Sequence, residues 1–397
     1  MKVNATGCSL VDNLYSPVDF NSAGYKKWAA ESGVKDGLIT GGLVFGDDLE
    51  RSSGVSFSEI IKEITEEKII PNRNIGGPAI VALIHMSQIL DMGGHSFRFY
   101  GSMADDQAGR FITEKLKQFR IDTSAYITTD GHTPFTDVLS DPSYNNNNGE
   151  RSFINYIGAA GYLCRKNLPD SFFDADILIF GGTGLTPALH DDLSYLLKRG
   201  KENACRNFVN TVYDFRNQKK DPDKRWPLVT LDEDFKLIDL LITDNEEALR
   251  ISGKTDKHAA VDFFRKRGVQ SGIITHGAED IICFSNGVIF SEKGTFKMPV
   301  SKEAGAAMQK APADEADTTG CGDNFAGGVY ASTTEQFENK PKLKPSLKQA
   351  VALGAVSGGF AGLYRGGVYS EKAEGEKLER LQQLLKAYEV QTRGIFK

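Results

Sequence analysis

The stretch Asp317–Phe325, DTTGCGDNF, runs directly into AGGVYAST and decides how the rest of the chain is read. Gly320 and Gly322 stand among small residues at the start of a helix-forming run. Bare backbone amides at a helix N-terminus make a ready anion site. The glycines let a ligand or another backbone approach closely. A carboxylate in such a cradle would repel phosphate unless it has a task. Asp323 suits a general base for an attacking hydroxyl. It equally suits a helix cap.

Working outward, strands and helices alternate through the second half of the chain. Asp176–Phe180 (DILIF), Asn207–Phe215, Leu237–Thr243 and Ser271–Thr275 read as strands. Pro187–Arg199, Glu246–Ser252 (closed by Gly253) and Ala259–Arg267 read as helices. This rhythm predicts an α/β fold with a central, mostly parallel sheet and helices on both faces. Asp214, Asp244 and Thr275 fall at the carboxyl ends of predicted strands, the edge where open α/β sheets bind ligands.

The first half is less regular. Phe97–Gly101 reads as a strand, and Asp106–Phe119 as an amphipathic helix with Phe111, Ile112, Leu116 and Phe119 on one face. Tyr15–Asn74 and Asp122–Gly158 break the βαβ pattern. The second reads as a hairpin whose polar tip is the run Asn145–Asn148. Both are read as antiparallel pieces added to one edge of the main sheet. There is no internal repeat and no long linker, so one domain is expected over 1–397.

Bulk composition narrows the function classes. The chain has 397 residues, with 47 Lys plus Arg against 53 Asp plus Glu, a net charge of -6. That balance argues against a nucleic-acid binder. The five scattered cysteines contain no C-x-x-C pair, which favours a reducing compartment over a disulfide framework or zinc site. The N-terminus reads as a first strand rather than a signal peptide. The uncharged stretch Gln349–Tyr364 is shorter than a membrane span and reads as a buried helix. A cytoplasmic protein is expected, with no membrane partner.

The nine-residue string resembles the signature of the PfkB family of carbohydrate kinases, which have the ribokinase-like fold. Cys321 stands where that family usually has Ala. The resemblance implies that Asp323 is the catalytic base and that the amides of Gly320, Cys321 and Gly322 hold the transferring phosphoryl group. Other segments follow in the family's order. Gly76–Gly77 is similar to its G-G-N segment and Gly101–Gly109 to its G-x-x-G-x-D-x-x-G turn. Gly149–Phe153 (GERSF) and Ala159–Leu163 are similar to a strand returning from a lid and the turn after it. Asp244–Gly253 is similar to the N-x-x-E segment that positions magnesium, which implies metal roles for Asp244 and Glu247. Thr275–Gly277 is similar to T-x-G and Gly366–Gly367 to the late Gly pair, which implies nucleotide contacts from Thr275, Gly277, Thr318 and Gly366. Asp12, with Gly76 and Gly77, is implied in substrate binding. The family likeness further implies ATP and Mg²⁺, a monovalent cation near Asp317, a small β lid from approximately 13–72 and 122–158, and a homodimer through that lid. The acceptor would be a sugar, a sugar acid or a nucleoside. Arg151 is open between contact with an anionic substrate and an exposed hairpin position.

The departures concern the acceptor. Pro78 and Val81 stand where the family has Asn, and Asp244 replaces another Asn. The segment between Phe290 and Asp317 reads as a loop longer than usual. Two further strings are set aside. Ala248–Thr255 (ALRISGKT) fits a loosened P-loop pattern, but its supposed loop is helix-forming and lacks glycine. Gly182–Pro187 (GTGLTP) has Pro where a dinucleotide motif needs its last Gly.

Overall fold

The computed structural model describes residues 1–90, 94–147, 149–311 and 318–395. Asn148 and Asp317, both singled out above, lie outside the described residues, as does any cation site at Asp317.

Among the described residues there are fifteen strands. They are β1 (Lys2–Gly7), β2 (Leu10–Tyr15), β3 (Leu43–Phe45), β4 (Asn72–Gly76), β5 (Ser96–Tyr100), β6 (Ser102–Ala104), β7 (Ile127–Thr129) and β8 (Phe135–Asp141). The rest are β9 (Glu150–Tyr156), β10 (Ile177–Gly181), β11 (Arg206–Asn210), β12 (Leu240–Asp244), β13 (Ser271–Thr275), β14 (Ile281–Asn286) and β15 (Lys293–Met298). The main sheet has the order β15-β14-β13-β12-β11-β10-β1-β5. Its pairs from β5 to β13 are parallel, and β14 and β15 add antiparallel.

The pleat explains why Ile177–Phe180 is apolar throughout. Ile177 and Ile179 point into one core, Leu178 and Phe180 into the other. The first core is covered by the helices Pro78–Ile89, Cys321–Asn339 and Leu347–Ala361. Every residue of Pro78–Ile89 is buried, the apolar run Pro78–Ile84 together with the polar His85, Ser87 and Gln88. The uncharged stretch lies on Leu347–Ala361, and glycines bring this helix against Cys321–Asn339. A Cβ on Gly354 would come within 2.6 Å of Val329 Cγ2, and one on Gly328 within 2.9 Å of the Leu353 carbonyl. Among the described residues no helix is long and apolar enough to cross a membrane.

The two irregular stretches build a separate five-stranded sheet, β3-β9-β8-β2-β4, rather than extending the main one. The chain leaves the main sheet at Gly7, where a Cβ would stand 2.1 Å from the Gly181 carbonyl oxygen. The expected hairpin is the antiparallel pair β8–β9. Asn145 and Asn146 at its tip have φ of 49° and 58°, which asparagine tolerates.

Tyr15–Asn74 also contains helices, at Ala23–Trp28, Gly46–Ser53 and Phe57–Thr65. The last was legible: Ser56 and Glu59 form a capping box ahead of Phe57, Ile60, Ile61 and Ile64. These helices cover one face of the second sheet, burying Leu139, Ile154 and Tyr156 against Trp28, Leu49 and Ile60.

Three other expectations are corrected. The strand read as Asn207–Phe215 stops at Asn210, because Asp214 caps the helix Phe215–Lys220 by accepting from Asn217 N at 3.0 Å. Asp214 is therefore not at a strand end. Pro187–Arg199 is two helices that break at Asp192. The segment after Phe290 is not simply a loop: it forms β15 and the helix Lys302–Lys310.

Candidate active site

Gly320 is the N-cap of Cys321–Asn339, with φ +77°. A Cβ there would stand 2.5 Å from Gly367 Cα, so the two glycine-bearing loops touch backbone to backbone. Around Gly322 no atom lies within 4 Å of a Cβ position, leaving the first helical turn open to a ligand. The turn is closed by Cys321 N donating to Thr318 O at 3.2 Å.

Asp323 lies in this open turn and is half-buried. It is not the cap, since Gly320 holds that position and the helix has no side-chain cap bond. Burial alone pushes its carboxyl up to about 7. A carboxyl in that range can exchange a proton near neutral pH.

Several of the singled-out residues gather here. Asp12, Asn74, Thr319, Arg365 and Gly366 line one small cavity. A Cβ on Gly76 would stand 2.2 Å from Asp12 Oδ2, so only glycine lets β4 run beneath that carboxylate. Gly77, at φ +112°, would set its Cβ 2.2 Å from the Cys8 carbonyl. Arg151 reaches over from β9 on the second sheet. Its two terminal nitrogens donate to Thr318 Oγ1 at 2.5 Å and Thr319 Oγ1 at 2.8 Å. The hairpin arginine thus meets the signature segment.

A second group sits at the ends of β12 and β13. Asp244 caps the helix Asn245–Ser252 and forms a capping box with Glu247. Asp244 Oδ1 accepts from Glu247 N at 2.8 Å, and Glu247 Oε2 accepts from Thr211 Oγ1 at 2.5 Å. Glu247 is buried, and its carboxyl is pushed up by that burial and then by the Asp244 charge. Asp244 is raised too, by desolvation. A buried carboxyl such as Glu247, held away from ionisation by desolvation and by the neighbouring Asp244 charge, is what a divalent cation would relieve. Among the described residues there is no cluster of three or more His, Cys, Asp or Glu, so such an ion would complete its shell with water and phosphate oxygens. Thr275 lies opposite Asp244 in the β12–β13 register, and Gly277 follows in an open turn at φ +52°. His276 Nδ1 lies 3.1 Å from Glu279 Oε2. The two groups share no hydrogen bond among the described residues.

A cleft of about 810 Å³ separates the second sheet from the main one. Glu247, Tyr213 and Phe215 line one wall, and Phe45, Phe153 and Gly41 the other. Phe45 meets Phe215 edge-on at 6.1 Å, and Lys219 pairs with both Asp36 (2.9 Å) and Asp48 (2.8 Å) across the gap. Sequence reading missed this bridge, because nothing local marks a lysine whose partners lie 183 and 171 residues away. The two set-aside strings are ordinary turns: Gly253, at φ 65°, ends the helix Asn245–Ser252, and Gly182 opens a short 3-10 turn.

The geometry can therefore hold an anion at a helix N-terminus, place a base beside it and offer carboxylates to a cation. The chain belongs to the pfkB family of carbohydrate kinases, whose family profile matches residues 71–373. It is similar in fold to adenosine kinase from Schistosoma mansoni solved with 2-fluoroadenosine, at a TM-score of 0.67 and 16% identity, covering 93% of this chain and 97% of that one. Adenosine kinase from Anopheles gambiae aligns at a TM-score of 0.64 and 16% identity, over 92% of this chain and 96% of that one. A carbohydrate kinase from Agrobacterium tumefaciens aligns at 0.61 and 16% identity, over 97% of each chain. The fold is thus ribokinase-like.

Proposed function

We propose that this protein is a kinase that transfers the γ-phosphate of ATP to a hydroxyl of a small sugar or sugar-like substrate. The observation that carries the reading is Asp323. It stands in the open first turn of Cys321–Asn339 with its carboxyl pushed up to about 7 by burial. In this reading Asp323 takes the proton of the acceptor hydroxyl as that oxygen attacks phosphorus in line. The amides of Gly320, Cys321 and Gly322 stabilise charge on the transferring group. Arg151, already fixed to Thr318 and Thr319, adds a cation from the opposite side.

Asp244 and Glu247 would hold Mg²⁺, directly or through water; the ion's contribution is to neutralise phosphate charge. Thr275, Gly277, Thr318 and Gly366 would border the nucleotide, and Asp12, Gly76 and Gly77 the acceptor. The second sheet with its helices, approximately 13–72 and 122–158, would act as the lid that excludes water. A homodimer through that lid would have to use a sheet edge or the helices, because Ala23–Trp28, Gly46–Ser53 and Phe57–Thr65 cover its apolar face.

A nucleoside acceptor is the second reading. The cleft walls carry Phe45, Phe153, Tyr213 and Phe215, which suit a planar base. The test is ADP release from Mg-ATP across sugars, sugar acids and nucleosides, with Asp323→Asn beside wild type. One acceptor that works in wild type and fails in the variant establishes the reaction and its substrate class. Equal activity in both proteins removes Asp323 from the mechanism. Bound ATP with silence across the panel favours a metabolite-sensing protein of kinase fold.

A further inference from the structure

Directly behind the open helix turn lies a buried polar network. Asn324, fully buried, donates through Nδ2 to the carbonyls of Gly320 (2.9 Å) and Gly367 (2.7 Å). It therefore clamps together the two loops that meet at Gly320. Its Oδ1 faces three donors: His85 Nδ1 at 2.8 Å, Tyr364 OH at 3.2 Å and Lys377 Nζ at 3.2 Å. His85 carries its proton on Nδ1, because Asn324 Oδ1 can only accept, and its Nε2 then takes the Ser357 hydroxyl at 2.8 Å. Burial holds that imidazole neutral.

Lys377 is the member of this network that can carry a positive charge. Its side chain is 1% exposed. Besides Asn324, its ammonium reaches only Gln88 Oε1, at 2.8 Å, and forms no ion pair among the described residues. The nearest acid, Glu371, spends its oxygens on Lys377 N (2.8 Å) and Gln88 Nε2 (3.3 Å). Lys377 also stands at the N-terminal end of Glu376–Gln391, where the helix dipole opposes a positive charge. A buried cation at such cost calls for a compensating anion, and the open turn of Cys321–Asn339 is where one would sit.

We infer that Lys377 is a positioning residue for the phosphate-binding turn: through Asn324 it fixes the Gly320 and Gly367 carbonyls, and its charge favours an anion on the amides in front of them. This rests on reading that turn as the phosphate site. Burial pushes the lysine down to about 7, so its charge is lost as pH rises through neutrality. The other titratable groups around it are His85 from Pro78–Ile89, Cys321 and Asp323 from the facing helix, and Tyr364, Tyr369 and Glu371 from the preceding loop. Glu376 and Arg380, paired at 3.2 Å, lie on its own helix.

Inorganic sulfate is the probe, since it stays doubly charged across the working range. Its binding is read by NMR at the amides of Gly320 and Gly322, between pH 6 and 9. All proteins carry Asp323→Asn and Cys321→Ala, so that neither side chain titrates. The expected result is affinity at least roughly tenfold higher at pH 6 than at pH 9, from one charge at partly buried distance. Adding Lys377→Met leaves weak binding that no longer changes with pH. Equal affinity with and without Lys377→Met overturns the inference while leaving the phosphate site standing. If Lys377→Met does not fold, a flat pH profile in the parent protein overturns it instead. No sulfate response at Gly320 or Gly322 in any protein removes the phosphate site and the inference with it.

Discussion

Replacing Asp323 by Asn tests the active-site reading through two quantities that move in opposite directions. The substitution keeps size and shape while removing the charge. Burial raises this carboxyl from 3.8 to about 7 in the folded protein, which corresponds to about 4 kcal/mol of destabilisation once the group is ionised. Because the side chain is partly exposed, solvent relieves some of that, leaving about 1–3 kcal/mol. The sign follows from linkage. With the folded value above the unfolded one, stability is highest below pH 4, falls as pH rises toward 7, and is level above it. Asp323→Asn is therefore neutral to stability near pH 4 and stabilising by about 1–3 kcal/mol at pH 8, measured by urea unfolding at both pH values. The same substitution lowers turnover roughly 10²–10⁴-fold, the contribution of a general base. Wild-type kcat/KM falls about tenfold per pH unit below pH 7, as the base becomes protonated. A variant that is active, or one that is no more stable than wild type at pH 8, would refute the reasoning.

The other predictions concern the surroundings of that carboxyl. Thr211→Val removes the hydroxyl that orients Glu247 and raises the Mg²⁺ concentration needed for half-maximal rate roughly 10–100-fold, read by titrating Mg²⁺ at fixed ATP. Gly320→Ala forces a side chain onto Gly367 Cα at φ +77°; it costs more than about 1 kcal/mol in urea unfolding and abolishes transfer. Arg151→Lys replaces a two-pronged contact with a point charge and lowers kcat roughly 10²-fold, with the melting temperature little changed.

Much of this could be read from local patterns, and the reason is physical. Ser271–Thr275 appears as a strand with its predicted bounds, and the helix ending at Gly253 is where its capping residues put it. Each rests on neighbours within a turn or a pleat. The helix start at Gly320 was legible for the same reason, since a glycine N-cap and the first helical turn are properties of consecutive residues. Arg151 was legible only as a choice between two roles, because its hydroxyl partners lie 167 and 168 residues away. Lys377 was not visible at all. It sits in the charged run GGVYSEKAEGEKLER, whose composition indicates an exposed surface.

By itself, the sequence determined the alternation of strands and helices, the apolar strand Ile177–Phe180, and the helix start at Gly320–Asp323. Those features depend on backbone preference and on the periodicity of apolar side chains, which are written in adjacent positions. Tertiary structure decided that the irregular first-half stretches form their own sheet, that Arg151 and Lys219 span the gap to it, and that Asn324 ties two loops together over a buried lysine. Such contacts join residues far apart in the chain. Their energies come from desolvation and geometry that exist only once the chain has packed.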